Sequence, residues 1–159
     1  YVPAYLPSET KAPATAWLLG VAGAVPFWLA TLLYWSTSDA VGTGFAAAAV
    51  ISYGAIVLTF LGGIRWGLAI APAGKTVAAA TLVLSVLPGI AGFAAMFLPV
   101  LLAVAVLVCG FLLPALWDVI AADEGRLPPW VANLRMVLTA LVVPALLLLI
   151  ARQVLTGLT

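Results

Sequence analysis

The residues of this chain that can take part in chemistry are few. The sequence has six basic and five acidic residues and no histidine. They are Lys11, Arg65, Lys75, Arg126, Arg135 and Arg152, with Glu9, Asp39, Asp118, Asp123 and Glu124. Histidine is the commonest metal ligand and the favoured general base in proteins. Its absence from these 159 residues argues against a metal or haem site and against acid-base catalysis.

The other groups that often mark an active site also lack their usual neighbours. No recognisable base accompanies the serines or the single cysteine, Cys109, which lies in an apolar run and is expected to pack as a small hydrophobic residue. The "GTG" at residues 42–44 lacks the later glycine and lysine of a phosphate-binding loop. We expect no carboxylate in the apolar part of a span. A proton or sodium relay across the membrane would need one there. We therefore expect no enzyme activity, no catalytic residue, no metal and no resident cofactor.

The composition identifies the class of protein. Hydrophobic residues make up 66% of the sequence and charged residues 7%, and the mean hydropathy is +1.29. Such values exclude an ordinary soluble domain and indicate an integral membrane protein. The net charge of +1 leaves no basic patch of the size that nucleic-acid binding requires. Membrane lipids are expected to surround the chain, and nucleic acid is not expected as a partner.

Polar and turn-forming stretches divide the chain into five apolar segments. A helix needs about 20 mainly apolar residues to cross the hydrocarbon. The predicted spans are residues 14–35, 41–69, 76–97, 99–121 and 130–155. Only "LPV" separates the third span from the fourth, which predicts a tight hairpin at the membrane surface. Pro26, Pro88, Pro114 and Pro144 fall inside four of the spans and should bend them. The fold class is thus an all-α membrane bundle of five helices, several of them kinked by proline, in a single domain.

Basic residues and aromatic residues give the orientation. Five of the six basic residues, all except Arg152, fall on the side of the membrane that holds the N-terminus. This asymmetry predicts a cytoplasmic N-terminus and a periplasmic C-terminus in a bacterial inner or intracytoplasmic membrane, with the mitochondrial inner membrane as the alternative. Tryptophans near the span ends are expected as interface anchors: Trp17, Trp66, Trp117 and Trp130 on the inner side and Trp35 on the outer side.

Small residues should bring the helices together. In a bilayer, helices associate through close packing of small side chains and through polar contacts. The candidate packing positions are Gly42, Gly54, Gly62 and Gly63 in the second span and Gly20 and Ala24 in the first. This pattern is compatible with packing inside the chain and with an interface to another membrane protein, and we favour the first interpretation.

Arg65 lies near the inner end of the second span, in "FLGGIRWGLA" at residues 60–69. The five-span topology places Asp118 at the same rim. One interpretation is a structural ion pair between Arg65 and Asp118, and the alternative is a contact with an anion or a lipid headgroup. Arg135 raises the same question in the fifth span. Pro128 and Pro129 could start a helix that lies partly in the interface. The chain would then cross the membrane from Met136 to Ala151, a short span, and Arg135 and Arg152 would reach the interface at its two ends.

Two stretches resemble a known family. "YGAIVLTFLGGIRWGLA" at residues 53–69 and "LPPWVANLRMVLTA" at residues 127–140 are similar to domain-of-unknown-function family 3429, the transmembrane-protein-69-like proteins. The resemblance implies the same five-span layout over most of the chain. It implies a small polytopic protein of energy-converting membranes and no established activity.

Two functional hypotheses follow. The first is a non-catalytic accessory subunit that packs against a larger photosynthetic or respiratory membrane complex and stabilises it. The second is a carrier or binder of a lipid, quinone or carotenoid in an apolar groove between kinked helices, with Arg65 at the level of the headgroup. Neither function requires the catalytic or metal-binding groups that the sequence lacks.

Overall fold

The computed structural model describes residues 12–70, 79–125 and 127–157. These residues form five α-helices and, within the described ranges, no strand. The helices are α1 (Ala14–Ser36), α2 (Ala40–Ile70), α3 (Ala79–Ala95), α4 (Val100–Asp123) and α5 (Pro129–Thr156). The all-α fold with five helices is confirmed. The predicted start of the third span, at Thr76, lies outside the described residues.

The helices have the length and surface of membrane spans. α1, α2, α4 and α5 are each long and apolar enough to cross a bilayer. α3 has 17 described residues, about 25 Å of helix, which is near the lower limit for a span. Large apolar side chains point outward, with Leu18 71%, Leu113 66% and Leu155 78% exposed. Because such a surface would be costly in water, the chain is an integral membrane protein.

Short connections set the helix order. Asp39 accepts a hydrogen bond from the Gly42 backbone N–H at 2.7 Å, which caps the start of α2. The amides of Met96, Phe97 and Leu98 each donate to the carbonyl three residues earlier, and α4 follows at once after Pro99. The tight hairpin between the third and fourth helices is therefore confirmed.

The five helices form a closed ring. Each helix contacts the next one in sequence, α5 returns to contact α1, and α2 also contacts α4 across the middle. Hydrogen bonds from α1 side chains to α5 carbonyls progress in the same direction along both helices: Trp28 to Leu141 (2.9 Å), Thr31 to Ala145 (3.3 Å) and Trp35 to Leu148 (3.1 Å). α1 and α5 are thus parallel, as an odd number of crossings requires.

Aromatic rings fill the interior of the ring of helices. Phe27 of α1 is 1% exposed and lies edge-on to Tyr53 of α2, with the ring centroids 5.1 Å apart. It also contacts Phe111 of α4, at 5.7 Å between centroids. Edge-to-face geometry is the favourable arrangement for aromatic pairs. Phe27 therefore links α1, α2 and α4 through the core.

The four internal prolines lie inside α1, α3, α4 and α5, as predicted. Proline weakens the helical hydrogen bonding around it, and neighbouring side chains can satisfy the affected carbonyls. The carbonyl that Pro144 leaves without a helical donor is that of Ala140, four residues earlier. The nearby carbonyls of Leu141 and Ala145 accept the bonds from α1. The structure differs from the expectation of an interfacial helix followed by a short crossing, because α5 is one helix of 28 residues from Pro129.

Candidate functional site

A buried carboxylate joins three helices. Asp118 of α4 is 3% exposed. Its Oδ1 lies 2.8 Å from Arg65 Nη2 on α2, and its Oδ2 lies 3.3 Å from Arg135 Nε on α5. Each oxygen of the carboxylate therefore holds one guanidinium group. The ion pair is the first of the two interpretations offered for Arg65, and the carboxylate adds a second arginine to it.

The positions of these residues along their helices explain the meeting. Arg65 lies five residues before the end of α2 at Ile70, and Asp118 lies five residues before the end of α4. Arg135 lies six residues after the start of α5 at Pro129. At 1.5 Å per residue, all three are about 8 Å inside their helix ends. We call this end of the bundle, where α2 and α4 end and α5 begins, the Arg65 end.

Asp118 is a carboxylate buried within α4, although none was expected in the apolar part of a span. Arg135 is 8% exposed and pairs with Asp118, which is the ion pair of the two interpretations that it shared with Arg65. The expectation that Arg135 reaches the interface beside a short crossing is wrong. The physical reason is the same for both residues. Opposite charges in contact offset the cost that either one would have alone in a low-dielectric environment.

Trp117 forms a second contact for Arg65. The guanidinium carbon of Arg65 lies 5.4 Å from the centroid of the Trp117 ring, within the range of a cation–π interaction. Arg65 is therefore held between the Asp118 carboxylate and an aromatic face. Trp117 itself is 40% exposed, so one side of the pair borders the membrane.

An apolar groove begins beside Arg65 and runs between α3 and α4. Its volume is about 530 Å³. It is lined by Arg65, Leu84, Leu87, Pro88, Ala91, Leu98, Leu102, Ala105, Val106, Cys109, Gly110, Leu113, Pro114 and Trp117. Cys109, which was expected to pack as a small hydrophobic residue, is exposed on its wall. We call this surface the α3–α4 groove.

Four of the six predicted packing positions contact another helix or are buried among helices. A Cβ on Gly62 would lie 2.3 Å from the Ser85 carbonyl oxygen on α3, and one on Gly54 would lie 2.7 Å from Leu107 on α4. Gly20 faces Leu138 of α5, and Ala24 is 4% exposed.

The other two positions, Gly42 and Gly63, differ from the prediction. A Cβ on Gly42 would meet Thr37 at 2.1 Å, so this glycine packs on the α1–α2 connection. Gly62 contacts α3, whereas the adjacent Gly63 has no atom within 4 Å of its Cβ position. It lines a second groove of about 430 Å³ between α2 and α3.

Sequence reasoning missed glycines on the partner helices. A Cβ on Gly92 would lie 2.8 Å from the Ala55 Cα, and one on Gly110 would lie 2.7 Å from Leu58. The available signal was the small residues of "PGIAG" at 88–92 and of "CG" at 109–110. The prediction had considered small residues in the first two spans alone.

The opposite end of the bundle, which we call the Arg152 end, holds a different cluster. Arg152 of α5 donates a hydrogen bond to the Thr37 carbonyl, and its guanidinium carbon lies 4.8 Å from the Tyr34 ring centroid. Tyr34 is 2% exposed and its hydroxyl donates to the Gln153 side-chain oxygen. These contacts were not predicted, because Tyr34 and Gln153 are 119 residues apart in sequence.

Hydroxyl groups in the spans follow the expected rule in part. Thr59 and Ser85 donate to carbonyls four residues earlier, at 2.8 and 2.7 Å, as helical hydroxyls usually do. Tyr53 instead reaches the Gly23 carbonyl of α1 at 3.0 Å. Thr139 Oγ1 is buried without a hydrogen-bond partner among the described residues.

The tryptophans predicted as anchors lie near helix ends. Trp17, Trp66, Trp117 and Trp130 are at the Arg65 end, and Trp35 is at the Arg152 end. Trp35 is 44% exposed and also donates to α5 through its ring N–H. It therefore acts in packing as well as lying in an anchoring position.

Comparisons with known proteins agree with this architecture. A model of proteins of unknown function, DUF3429, matches residues 12–151. The chain is 46% identical over 61 residues to Transmembrane protein 69 of Xenopus tropicalis, a match that covers 37% of this chain and 22% of that protein. The chain therefore spans only part of the length of that relative. No solved structure matches the chain. Since the family model covers most of its length, including all three residues of the ionic cluster, the chain belongs to the DUF3429 family of membrane proteins.

Proposed function

We propose that this protein binds an amphipathic lipid-class molecule, such as a membrane lipid, a quinone or a carotenoid, and that it is not an enzyme. The observation that carries the proposal is the α3–α4 groove. This groove has an apolar lining, a volume of about 530 Å³ and Arg65 at one end. Ligand sites are concave and mainly apolar, with a few polar groups that fix orientation. The groove has this form, and two leucines of its lining, Leu102 and Leu113, are 54% and 66% exposed on the outside of the bundle.

The test is to fill the groove without disturbing the ionic cluster. Ala91 lines the groove on α3, whereas Ala94, one turn later, is exposed and lines neither groove. Protein is extracted from its membrane in polymer nanodiscs, transferred to mild detergent and analysed by native mass spectrometry. Ala91→Phe should lose a bound molecule that wild type and Ala94→Phe retain. Equal retention by both variants, with unchanged melting temperatures, would refute the proposal.

A second candidate is an accessory subunit of a larger photosynthetic or respiratory complex. It is supported by Gly63 and Gly67, which are four residues apart on α2 and have no atom within 4 Å of their Cβ positions. Such spacing lets the backbone of another helix approach closely. Gly63→Leu and Gly67→Leu should release the chain from a complex that digitonin extracts from native membranes. Gly44→Leu is the control, because Gly44 is equally open but lies near the other end of α2.

We also propose a bacterial inner or intracytoplasmic membrane, with the Arg65 end on the cytoplasmic side. The support is the excess of basic residues near that end in the sequence. In a Cys109→Ser background, Ser38→Cys lies in the α1–α2 connection and Asp123→Cys at the end of α4. A membrane-impermeant maleimide should label position 38 in intact cells and position 123 only after permeabilisation. The reverse pattern would invert the topology.

A further inference from the structure

We infer that the α3–α4 groove selects an anionic phospholipid, with the phosphate at Arg65 and an acyl chain along α4. This inference rests on the proposed function, that the groove holds an amphipathic molecule. The inference adds the charge of the headgroup, and this charge distinguishes a phospholipid from a quinone or a carotenoid.

The charge of the groove lining favours an anionic ligand. Arg65 is the one ionised side chain among the residues that line the groove. A carotenoid hydrocarbon has no group that would use this charge, and a quinone head is neutral. A phosphodiester is anionic, and arginine recognises phosphate oxygens with its planar fork of N–H donors. Charge complementarity therefore favours the phospholipid.

The Asp118 carboxylate is shared between two arginines. Its two oxygens contact two different guanidinium groups, so these three side chains together carry a formal charge of +1. A guanidinium has five N–H donors, so Arg65 can hold Asp118 and a phosphate oxygen together. Arg135 acts as a positioning residue, because it holds Asp118 from the α5 side. Asp118 in turn holds Arg65 at the mouth of the groove.

The depth of Arg65 in the bundle suits contact with a lipid phosphate. Arg65 lies about 8 Å inside the end of α2, counted at 1.5 Å per residue, and contacts Trp117, a residue type common at the level of lipid headgroups. From Trp117 the groove follows α4 as far as Leu102 and reaches Leu98 in the connection before α4. The 15 residues between 102 and 117 span about 22 Å, which exceeds half of the roughly 30 Å hydrocarbon core. The groove is therefore long enough for an acyl chain whose phosphate is at Arg65.

Cys109, the single cysteine of the sequence, lies on the groove wall and is exposed, so it can report on the occupant. The protein is labelled there with bimane and reconstituted in phosphatidylcholine vesicles. These contain equal mole fractions of brominated phosphatidylglycerol, brominated phosphatidylcholine or brominated stearate. Brominated phosphatidylglycerol should quench the bimane more strongly than the other two. Arg65→Gln should abolish this difference, and Arg152→Gln, which removes a cation at the other end, should leave it unchanged.

Each outcome bears on one claim. Equal quenching of wild type by phosphatidylglycerol and phosphatidylcholine would overturn the selectivity and leave the proposed function intact. Stronger quenching by stearate would replace the phosphate with a carboxylate and overturn the phospholipid assignment. If no lipid quenches Cys109 more than an Ala94→Cys label in a Cys109→Ser background, the proposed function itself fails. The comparison of the three brominated lipids in the wild-type protein does not depend on whether the Arg65→Gln variant folds. The melting temperature of that variant is measured as a check of its folding.

Discussion

The two ends of the bundle stabilise an arginine in different ways. At the Arg65 end, two guanidinium groups share the Asp118 carboxylate. At the Arg152 end, the guanidinium lies over the Tyr34 ring and donates to a backbone carbonyl. It makes no ion pair with a carboxylate of the described residues. The Arg65 end therefore depends on an oppositely charged partner, and the Arg152 end on an aromatic ring and a backbone carbonyl.

This difference predicts unequal tolerance to substitution. Removing a charge from a contact with a ring or a carbonyl leaves behind a neutral group that needs no counterion. Removing one member of a buried ion pair leaves a charge in a low-dielectric environment. The Arg65 end should thus be the more sensitive end.

The largest effect is expected for Asp118→Ala. The substitution removes the carboxylate that Arg65 and Arg135 share, and we expect the free energy of unfolding to fall by about 3–5 kcal/mol. The measurement is equilibrium unfolding in detergent micelles. Asp123→Ala, on the same helix at an exposed position, should change it by less than about 0.5 kcal/mol. Similar losses in the two variants would show that the shared carboxylate does not stabilise this end.

The next largest effect is expected for Gly62→Ala, which tests how closely α2 must approach α3 near Arg65. A Cβ at Gly62 would lie 2.3 Å from the Ser85 carbonyl oxygen, so Gly62→Ala should lower the free energy of unfolding by about 1–3 kcal/mol. Gly63→Ala is the neighbouring control. Its Cβ meets no atom within 4 Å, and replacing a helical glycine with alanine should raise stability by up to about 1 kcal/mol. Losses of equal size would contradict the observed backbone contact.

A smaller effect is expected at the other end. Arg152→Gln removes the cation over Tyr34 and the bond to the Thr37 carbonyl, which together should contribute about 1–2 kcal/mol. Arg152→Lys keeps a cation near the ring and should lose less. The measurement is the same unfolding equilibrium. If Arg152→Gln costs as much as Asp118→Ala, the contrast between the two ends is wrong.

The smallest effect is expected for Trp35→Phe. The Trp35 ring lies 6.0 Å from the Arg152 guanidinium carbon, and its ring N–H donates to the Leu148 carbonyl at 3.1 Å. The substitution keeps an aromatic ring and removes this N–H. Because Trp35 is exposed, the loss should be about 0.5 kcal/mol. Trp28→Phe removes a partly buried bond to Leu141 and should lose about twice as much. A shift in the melting temperature distinguishes the two variants, and the reverse order would contradict this view of the α1–α5 interface.

Much of the fold was predictable because apolar runs and turn residues act locally. The five segments agree with the five helices, and the largest differences at described ends are two residues, such as the end of α3 at Ala95 where residue 97 was expected. That difference arises because residues 96–98 form turn hydrogen bonds. The meeting of Arg65 and Asp118 at one end also follows from the alternation of five crossings.

Other features required the packed structure. Hydropathy could not show that Arg135 turns inward, because a side chain near a helix end can either reach the interface or find a partner. Gly62 and Gly63 are adjacent and identical in type, yet only Gly62 meets the backbone of α3. The rotation of α2 about its own axis decides between them, and that rotation depends on every neighbouring helix.

The sequence by itself determined that this chain is an α-helical membrane protein, where its helices lie and which charges share an end. These properties follow from segment-by-segment transfer of apolar residues into the bilayer. Only the tertiary structure decided that Asp118 serves two arginines, that Tyr34 meets Gln153 and that an apolar groove between α3 and α4 begins at Arg65. These contacts join residues far apart in the chain, and their geometry depends on how the helices rotate and pack against one another.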